Sequence, residues 1–462
     1  MSLEFPGPGG MVGTMRSLAV LLGRPLRMPQ ATRFLLLPML LLALGTGCHR
    51  GSDPNATGTP PTISTQPVDA STVSGRPVTF TVGANGAAVL AYQWAKDGTN
   101  ILGALSATYT LYNPQPTDAG HYSVTVTNDI GTVTSHAAIL TVVPTPEFSA
   151  AVSAVFDPAG NLYVSDRDDH VIWKVSPTKQ VALLAGTQGL AGSLDGQGSS
   201  ASFRNPGCMA FDPAGNLVVA DTGNHTIRRI AADGTVTTLA GSPGSAGSTD
   251  AVGALARFNA PYGIAVDASG GIYIADSRNH TIRFLAQDGT VTTYAGTPQV
   301  PGQTNGIASS AQFNQPNALA LAPDGTLYVA DFGNSALRMI SPSRQVSTLA
   351  GQAGTPGYFD ATGTAALFRQ PVGIALDASG NLWVADTHNH AIRSVTSAGI
   401  VHLVAGSGAA GNADGTGGAA LFNLPCGITR IPSGSQAGNL LVADTYNHIL
   451  RIVTPAGVVT TL

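Results

Sequence analysis

Glutamate is almost missing from this chain: in 462 residues it stands only at Glu4 and Glu147. Charged residues of all kinds amount to 10%, so a long, salt-bridged helix has little to be built from. Cysteine occurs three times, at Cys48, Cys208 and Cys426, which excludes a disulfide-stapled framework and any paired-cysteine zinc pattern. The conspicuous apolar run, residues 34–44, is 11 residues long and too short to span a bilayer as a helix. Positive charge is also scarce. The formal net charge is −4, and leaving out residues 1–47, which hold four Arg and Glu4, takes it to −7. Such a balance argues against a nucleic-acid partner.

What the chain has in quantity is turn formers, 56 Gly and 30 Pro, the composition of an all-β protein with many tight turns. Arg24, Arg27 and Arg33 precede the apolar run, and small residues lead from it to Cys48. This order reads as a signal peptide over residues 1–47. The stretch LALGTGC resembles a bacterial lipoprotein cleavage site, although Gly45 stands where such sites usually carry Leu. The resemblance implies that Cys48 is lipidated and that the chain is exported and held to a bacterial membrane by an acyl anchor, with plain secretion as the alternative. Residues 48–62 are rich in Gly, Pro, Ser and Thr and read as a linker.

Residues 63–143 carry short alternating runs, VTFTV at 78–82 and YSVTVTN at 122–128, between Gly, Pro and Asp turns. Trp94 in AYQWAKDG and Tyr122 ending DAGHY resemble the core tryptophan and tyrosine corner of an immunoglobulin-like β-sandwich. Val82 and Val124 stand where many such domains place their bridging cysteines, so apolar packing is expected in the disulfide's place. The resemblance implies a stalk or adhesion module.

From residue 148 to 462 one unit repeats. Asp166, Asp221, Asp276, Asp331, Asp386 and Asp444 follow at intervals of 55, 55, 55, 55 and 58 residues, and Phe148, Phe203, Phe258, Phe313, Phe368 and Phe422 keep the same register. Each copy holds four strand-length apolar runs joined by Gly, Asn or Asp turns, as in YGIAVDASGGIYIADSRNHTIRFLAQDGTVTTYAG. A lone four-stranded sheet leaves both faces wet, so six such units are expected to close as a six-bladed β-propeller. The last copy supplies its own fourth strand, and Phe148 is expected to pack against blade six. The tokens DTGNHTIRRI, DSRNHTIRFL and DTHNHAIRSV resemble the NHL repeat. That resemblance implies the fold far more narrowly than the function, because NHL-like propellers include protein and RNA binders, sensor ectodomains and a few metal-dependent lyases or hydrolases.

Positions shared by every blade are best explained by what every blade needs. The six Asp residues, and the column His170, His225, His280, Ser335, His390 and His448, are expected to fix turns. The column Trp173, Arg228, Arg283, Arg338, Arg393 and Arg451 is expected to pair between blades. Recognition belongs where the repeat varies, on the face shared by the turns between strands two and three and the links between blades. One variable column reads Asp168, Gly223, Arg278, Gly333, His388 and Tyr446; the other opens the innermost strand and reads Val152, Gly207, Tyr262, Asn317, Val372 and Cys426. From these, Tyr262, Asn317, Asp168, Arg278, His388 and Tyr446 are the candidate ligand-binding residues around one mouth. Arg430 stands out as well, in a column otherwise made of Phe156, Phe211, Val266, Leu321 and Leu376. Cys208 and Cys426 fall in different repeats and columns and are read as two buried thiols.

No catalytic motif is present: GxSxG, HExxH, a phosphate-binding loop and a full calcium loop are all missing. DRDDH at 166–170 has calcium-like acids without the glycine and distal Glu. The sequence therefore assigns no catalytic residue, metal site or cofactor. It favours a cell-surface or periplasmic scaffold that binds a protein or glycan through one propeller face. A metal-dependent extracytoplasmic lyase or hydrolase using the channel, or a purely structural envelope part, remains open.

Overall fold

The computed structural model describes residues 58–73, 77–87, 89–112, 114–143 and 148–462. The apolar run and Cys48 lie outside them. Two units are distinguished by their internal contacts. The architecture is all-β, and no described helix is long and apolar enough to cross a membrane.

The smaller unit is a sandwich of the immunoglobulin-like kind. Its larger sheet runs Ala70–Val73, Ala138–Val143, Gly120–Thr127, Ala91–Lys96 and Thr99–Asn100, with Thr132–Thr134 beside Gly120–Thr127. Val78–Thr81 pairs with Thr108–Leu111, and Thr62–Thr65 with Gly83–Asn85. Alternation along Gly120–Thr127 buries Tyr122, Val124 and Val126. Trp94 is fully buried, and its indole N–H donates to the Ser106 carbonyl at 2.9 Å. Phe80 stacks on Tyr122 with ring centroids 4.9 Å apart. Val82 and Val124 are both buried, so apolar packing does hold the place of the bridging cysteines.

The larger unit contains six antiparallel sheets, each a meander of four consecutive strands. Blade one is Ala151–Phe156, Leu162–Asp166, Val171–Val175 and Val181–Ala185; blade six is Pro425–Arg430, Leu440–Asp444, Ile449–Val453 and Val458–Thr461. First strands pack side by side from each blade to the next, and the first strand of blade six packs on that of blade one. The ring is closed without exchange of a strand between the ends. Phe148, Ala151, Leu162 and Val164 share one apolar cluster with Leu441, Ala443 and Leu450, and Thr445 Oγ1 donates to the Ala151 carbonyl at 2.7 Å.

Four strands per blade is not the whole account. In blades two, four and six the incoming link adds a fifth strand, Gly196–Gln197, Gly306–Ile307 and Gly415–Thr416, on the outer edge. In blades three and five the same contact shrinks to single bridges, Val252 with Thr290 and Thr362 with Ile400. These additions cover part of an edge that would otherwise expose unpaired backbone groups.

The recurring Asp, Arg and Phe columns hold each of blades two to six together internally. The second strand ends on the Asp, whose Oδ2 accepts from the Asn three residues on at 2.7–2.8 Å. The same Oδ2 accepts from the Arg seven residues on at 2.7–3.0 Å. The other oxygen takes the backbone N–H just past the repeat's Phe, at 2.7–2.8 Å. Each guanidinium lies 5.1–5.2 Å from the ring of that Phe. Its outer nitrogen reaches a side chain in the incoming link, Asp195, Asp250, Asn305, Asp360 or Asp414. The pairing between blades expected of the Arg column from the sequence is therefore corrected: each Arg latches a blade to its own incoming link. A buried charge tolerates this position because every such Arg meets a carboxylate and backbone carbonyls.

The His column does the work between blades. His170, His225, His280 and His390 each accept, at Nδ1, the backbone N–H of the residue before the proline that opens the next blade: Asn205, Ala260, Gln315 and Leu424, at 3.0–3.2 Å. Ser335 Oγ accepts from Gln370 N in the same manner at 3.2 Å. At the closing boundary the His448 ring meets the Ser149 carbonyl. Hydroxyls add a second tie: Thr222 and Thr387 donate to the Pro261 and Pro425 carbonyls at 2.7 Å, and Ser277 donates to that of Pro316.

Candidate functional site

In blades two to six the strand-two-to-three connection is a short 3-10 turn ending on the column-forming His or Ser at positive φ, as in Ser277–Asn279 followed by His280 at φ 59°, whereas residues 167–170 of blade one form a plain turn in which Arg167 N donates to Ala150 O at 2.9 Å. The turn's middle residue is the first variable column. Its backbone N–H donates to the link that starts the same blade: Arg278 N to Asn259 O at 3.0 Å, His388 N to Arg369 O at 3.2 Å and Tyr446 N to Asn423 O at 3.1 Å. The main chain is fixed while the side chain stays outside the latch. Asp168 and Arg278 are exposed, and His388 and Tyr446 are half-buried.

The second variable column sits at irregularities in the first strands. Register shifts fall between Pro206 and Met209, Pro261 and Ile264, Pro316 and Leu319, Pro425 and Ile428, and Ala151 and Ser153. A bulge re-aims the side chain it carries, and here it carries Gly207, Tyr262, Asn317, Cys426 and Val152. This ring is buried: Tyr262 is 8% exposed, Asn317 2%, Val372 2%, Cys426 1% and Val152 1%. Gly207 is small for a reason that can be read in its surroundings. A Cβ there would come within 2.7 Å of Thr222 Oγ1 and 3.2 Å of the Tyr262 ring. Asn317 keeps an Oδ1 with no hydrogen-bond partner, an acceptor that costs free energy when buried and unmet.

One residue the repeat pattern did not single out joins the two columns. Arg167 occupies the position where blades two, three, five and six place the tying hydroxyls of Thr222, Ser277, Thr387 and Thr445. It grips Asp168, with Nε to Oδ1 at 2.7 Å and the second nitrogen to Oδ2 at 3.1 Å. Burial opposes the charge, but the Asp168 hydrogen bonds outweigh it and hold the guanidinium above its ordinary value; Tyr262 and Cys426 lie close enough to contribute. Burial first, then Cys426 and Cys208, pushes the Tyr262 phenol up. Arg167 is thus paired with Asp168 and lies within electrostatic reach of Tyr262. The other blade exceptional at this position is the fourth, where Phe332 meets the His388 ring edge-on at 6.3 Å. Departures from the hydroxyl column were the signal that could have identified both.

Blade one lacks the Arg latch altogether. Asp166 accepts backbone N–H groups from Ser149 at 2.7 Å and Ala150 at 2.9 Å. Burial raises its carboxyl, and nearby Asp169 adds to the rise. Among the described residues no three of His, Cys, Asp and Glu stand close enough to hold a metal ion, and DRDDH is divided between the Asp166 turn, the Arg167 pair and the His170 tie. Cys208 and Cys426, although in different columns, both line one channel cavity, and both are free thiols.

Comparison with known proteins matches residues 60–128 to the immunoglobulin domain model. The NHL repeat model matches residues 203–230, 258–283, 313–338 and 368–393. NHL repeat-containing protein 2 of Homo sapiens is 29% identical over 346 residues, covering 67% of this chain and 47% of its own length. Protein SUPPRESSOR OF QUENCHING 1, chloroplastic, of Arabidopsis thaliana is 28% identical over 312 residues, covering 63% of this chain and 29% of its own length. The chain therefore spans less than half of these curated relatives. Among solved structures, an auxiliary nutrient binding protein from Bacteroides thetaiotaomicron aligns over 88% of this chain and 99% of that one, with a TM-score of 0.50 at 13% identity. That likeness is one of fold.

Proposed function

We propose, from the premise that this chain is an NHL-repeat β-propeller protein with an N-terminal immunoglobulin-like domain, that it is an extracytoplasmic scaffold binding a protein or glycan at the turn face of the propeller. One observation carries the reading. The chemistry that recurs from blade to blade is consumed inside the fold, by Asp–Arg latches in blades two to six and by ties at the blade boundaries, whereas Asp168, Arg278, His388 and Tyr446 vary from blade to blade on the turns and remain partly or wholly in contact with solvent. Rigid backbone with variable polar and aromatic side chains is what a recognition surface requires. Tyr262, Asn317 and the Arg167–Asp168 pair would form the floor of that mouth.

The export reading rests on the apolar run and Cys48; it predicts an acylated, membrane-associated product. The solved nutrient-binding relative is compatible with an extracytoplasmic binder, by name rather than by site. A metal-dependent lyase or hydrolase would need carboxylate or imidazole donors on the channel wall. The ring there is instead Val152, Gly207, Tyr262, Asn317, Val372 and Cys426. The test is a glycan array and a defined panel of envelope proteins, probed with the parent and with a variant carrying Asp168→Ala, Arg278→Ala, His388→Ala and Tyr446→Ala. The expected result is a ligand held by the parent and lost by the variant at unchanged thermal stability. Equal retention by both, or a parent that retains nothing, would overturn the proposal.

A further inference from the structure

In blades two to six the incoming link covers the outer strand, and three contacts recur there. A link N–H meets the carbonyl of the turn before that strand: Gly198 N to Gly234 O, Gly253 N to Gly289 O, Ala308 N to Arg344 O, Gly363 N to Gly399 O and Gly417 N to Gly457 O, at 2.8–3.0 Å. The link's Asp takes the backbone N–H of Thr238, Thr293, Leu403 or Thr461 at 2.7–3.1 Å. The valine at the head of the strand, Val236, Val291, Val346, Val401 or Val459, is at most 1% exposed, and Val291 N and Val401 N donate to the link carbonyls of Ala251 and Ala361 at 2.8 and 2.9 Å.

Blade one lacks this cover. Each link places its Asp or Asn eight residues before the repeat's Phe. The same count back from Phe148 falls on Leu140, which is buried in the sandwich strand Ala138–Val143. The segment that would serve blade one is spent on the smaller unit, and no fifth strand lies beside Val181–Ala185. Val181, the counterpart of Val236, is accordingly 37% exposed. Lys179 keeps the turn conformation of its counterparts, with φ 64° against 85° at Gly234 and 64° at Arg344, so its carbonyl is presented as theirs are, and among the described residues no backbone N–H meets it. Leu183 sits across from Trp173 as Thr238 sits across from Arg228, and no described side chain takes its N–H. Trp173, in the place of the latch Arg, keeps a buried indole N–H with no acceptor, a donor that folded chains seldom leave unmet. The edge has the backbone of a covered edge without its cover.

We infer that the outer edge of blade one is a docking edge for an extended segment of a partner protein, one that carries Asp or Asn followed by Gly or Ala and pairs antiparallel with Val181–Ala185 in the place the missing link leaves open. The occupant's chemistry is read from the five links that cover the other blades: LDGQG, TDAVG, TNGIA, FDATG and ADGTG. The acid or amide supplies the acceptor, and a small residue follows it. The fifth residue lies at φ 46–60° in all five, a conformation that favours glycine and turns its N–H toward the strand. Backbone pairing supplies the affinity, and the acceptor and glycine supply the selectivity. A second copy of this chain would bring only another five-residue edge, far less than a stable dimer buries. The inference is independent of what the turn face binds.

The probe is a synthetic peptide of residues 191–202, AGSLDGQGSSAS, titrated calorimetrically into the full chain and followed by amide hydrogen exchange. It should bind one to one. The peptide with Asp195→Ala should bind several-fold more weakly, and that with Gly198→Pro, which loses the N–H meant for Lys179 and cannot adopt a positive φ, should not bind. In the protein, Val181→Asp sets a like charge beside the peptide's acid at a position already in contact with solvent, and should weaken binding at least tenfold. The Val181 and Leu183 amides should exchange faster than those of Val236 and Thr238 in the free chain and slow at least tenfold when the peptide is bound. The inference fails if the peptide shows no saturable binding up to about 1 mM, or if Val181→Asp holds it as tightly as the parent, which would place it elsewhere. It fails equally if the Val181 and Leu183 amides are as protected as those of Val236 and Thr238 before peptide is added, since a second copy or another part of the chain would then already occupy the edge.

Discussion

His280 Nδ1 accepts the backbone N–H of Gln315 at 3.0 Å, joining the third blade to the fourth. Both residues are in the left-handed region, with φ of 59° and 52°, and the same pairing of two sterically costly residues recurs at every boundary from blade one to blade six except the closing one, where only His448 has positive φ. The tie requires an unprotonated Nδ1. Burial lowers the pKa of His225, His280 and His390, with Arg278 and Arg204 adding to the effect at His225 and Arg369 at His390. The folded rings therefore resist a proton that the unfolded chain accepts once the pH drops below 6.5, the ordinary value. The contribution of these rings to stability should be full above that pH, fall on acidification and level off below the folded values, opposed by Asp221, Asp276, Asp331 and Asp386, whose carboxyls burial raises to about 6. The melting temperature between pH 7.5 and 4.5 measures this, and His280→Ser supplies the control. Ser335 already fills that role at φ 53°, so the variant should lose about 1 kcal/mol or less at pH 7.5 and show a shallower acid slope. An equally steep slope in a variant with all the boundary His residues replaced by Ser would exclude the rings as its source.

The latch makes a different prediction. Arg283 is fully buried, bonded to Asp276 at 2.8 Å and to Asp250 at 2.5 Å. Removing it leaves the buried Asp276 carboxylate without its cation. Arg283→Met should cost about 3–5 kcal/mol, the usual cost of breaking one side of a buried pair. Asp250→Asn should cost much less, because blade four already runs with Asn305 in that place and Asp250 is 44% exposed. Urea unfolding of the three proteins ranks them, and a loss for Asp250→Asn as large as that for Arg283→Met would contradict the division of labour.

Channel closure depends on glycine at a position where the repeat gives no hydrophobic signal. A Cβ on Gly263 would stand 2.0 Å from the Asn317 carbonyl oxygen, and one on Gly373 the same 2.0 Å from that of Cys426. Backbone cannot yield as a side chain can, so adjacent first strands would have to separate. Gly263→Ala should lower the melting temperature by several degrees or prevent folding. Gly418→Ala, with nothing within 4 Å of the added methyl, should leave it unchanged. Comparable melting of both variants would show that the strands accommodate the methyl.

How much of this could be read from the residues alone depends on periodicity. The Asp and Phe spacings announce six equal units, and Trp94 and Tyr122 announce the sandwich core, because burial repeats with the strand and leaves a pattern. The direction in which a long side chain reaches leaves none. The Arg column lies on the third strand, yet its partners Asp195, Asp250, Asp360 and Asp414 sit more than thirty residues earlier in links that read as featureless Gly and Ala. For the same reason the His ties, which reach 34 or 35 residues ahead, were mistaken for local turn contacts. The variable columns were legible as positions but not as depths: Tyr262 and Asn317 are buried while Asp168 and Arg278 are exposed, a distinction set by the strand bulges, for which the sequence carries only a proline.

Arg167 separates structural from recognition roles most sharply, because its own repeat states what a purely structural residue there would be. Thr222, Thr387 and Thr445 each donate a hydroxyl to the next blade's first strand at 2.7 Å. Arg167→Thr should therefore recover that bond toward blade two and leave the melting temperature equal or slightly raised, despite deleting a half-buried ion pair. The same change frees Asp168, removes the positive charge beside Tyr262 and empties the floor of the proposed mouth. Ligand retention at the turn face should fall at least tenfold while stability does not. A variant that melts several degrees lower yet still retains ligand would make Arg167 a structural residue and move the recognition surface away from blade one.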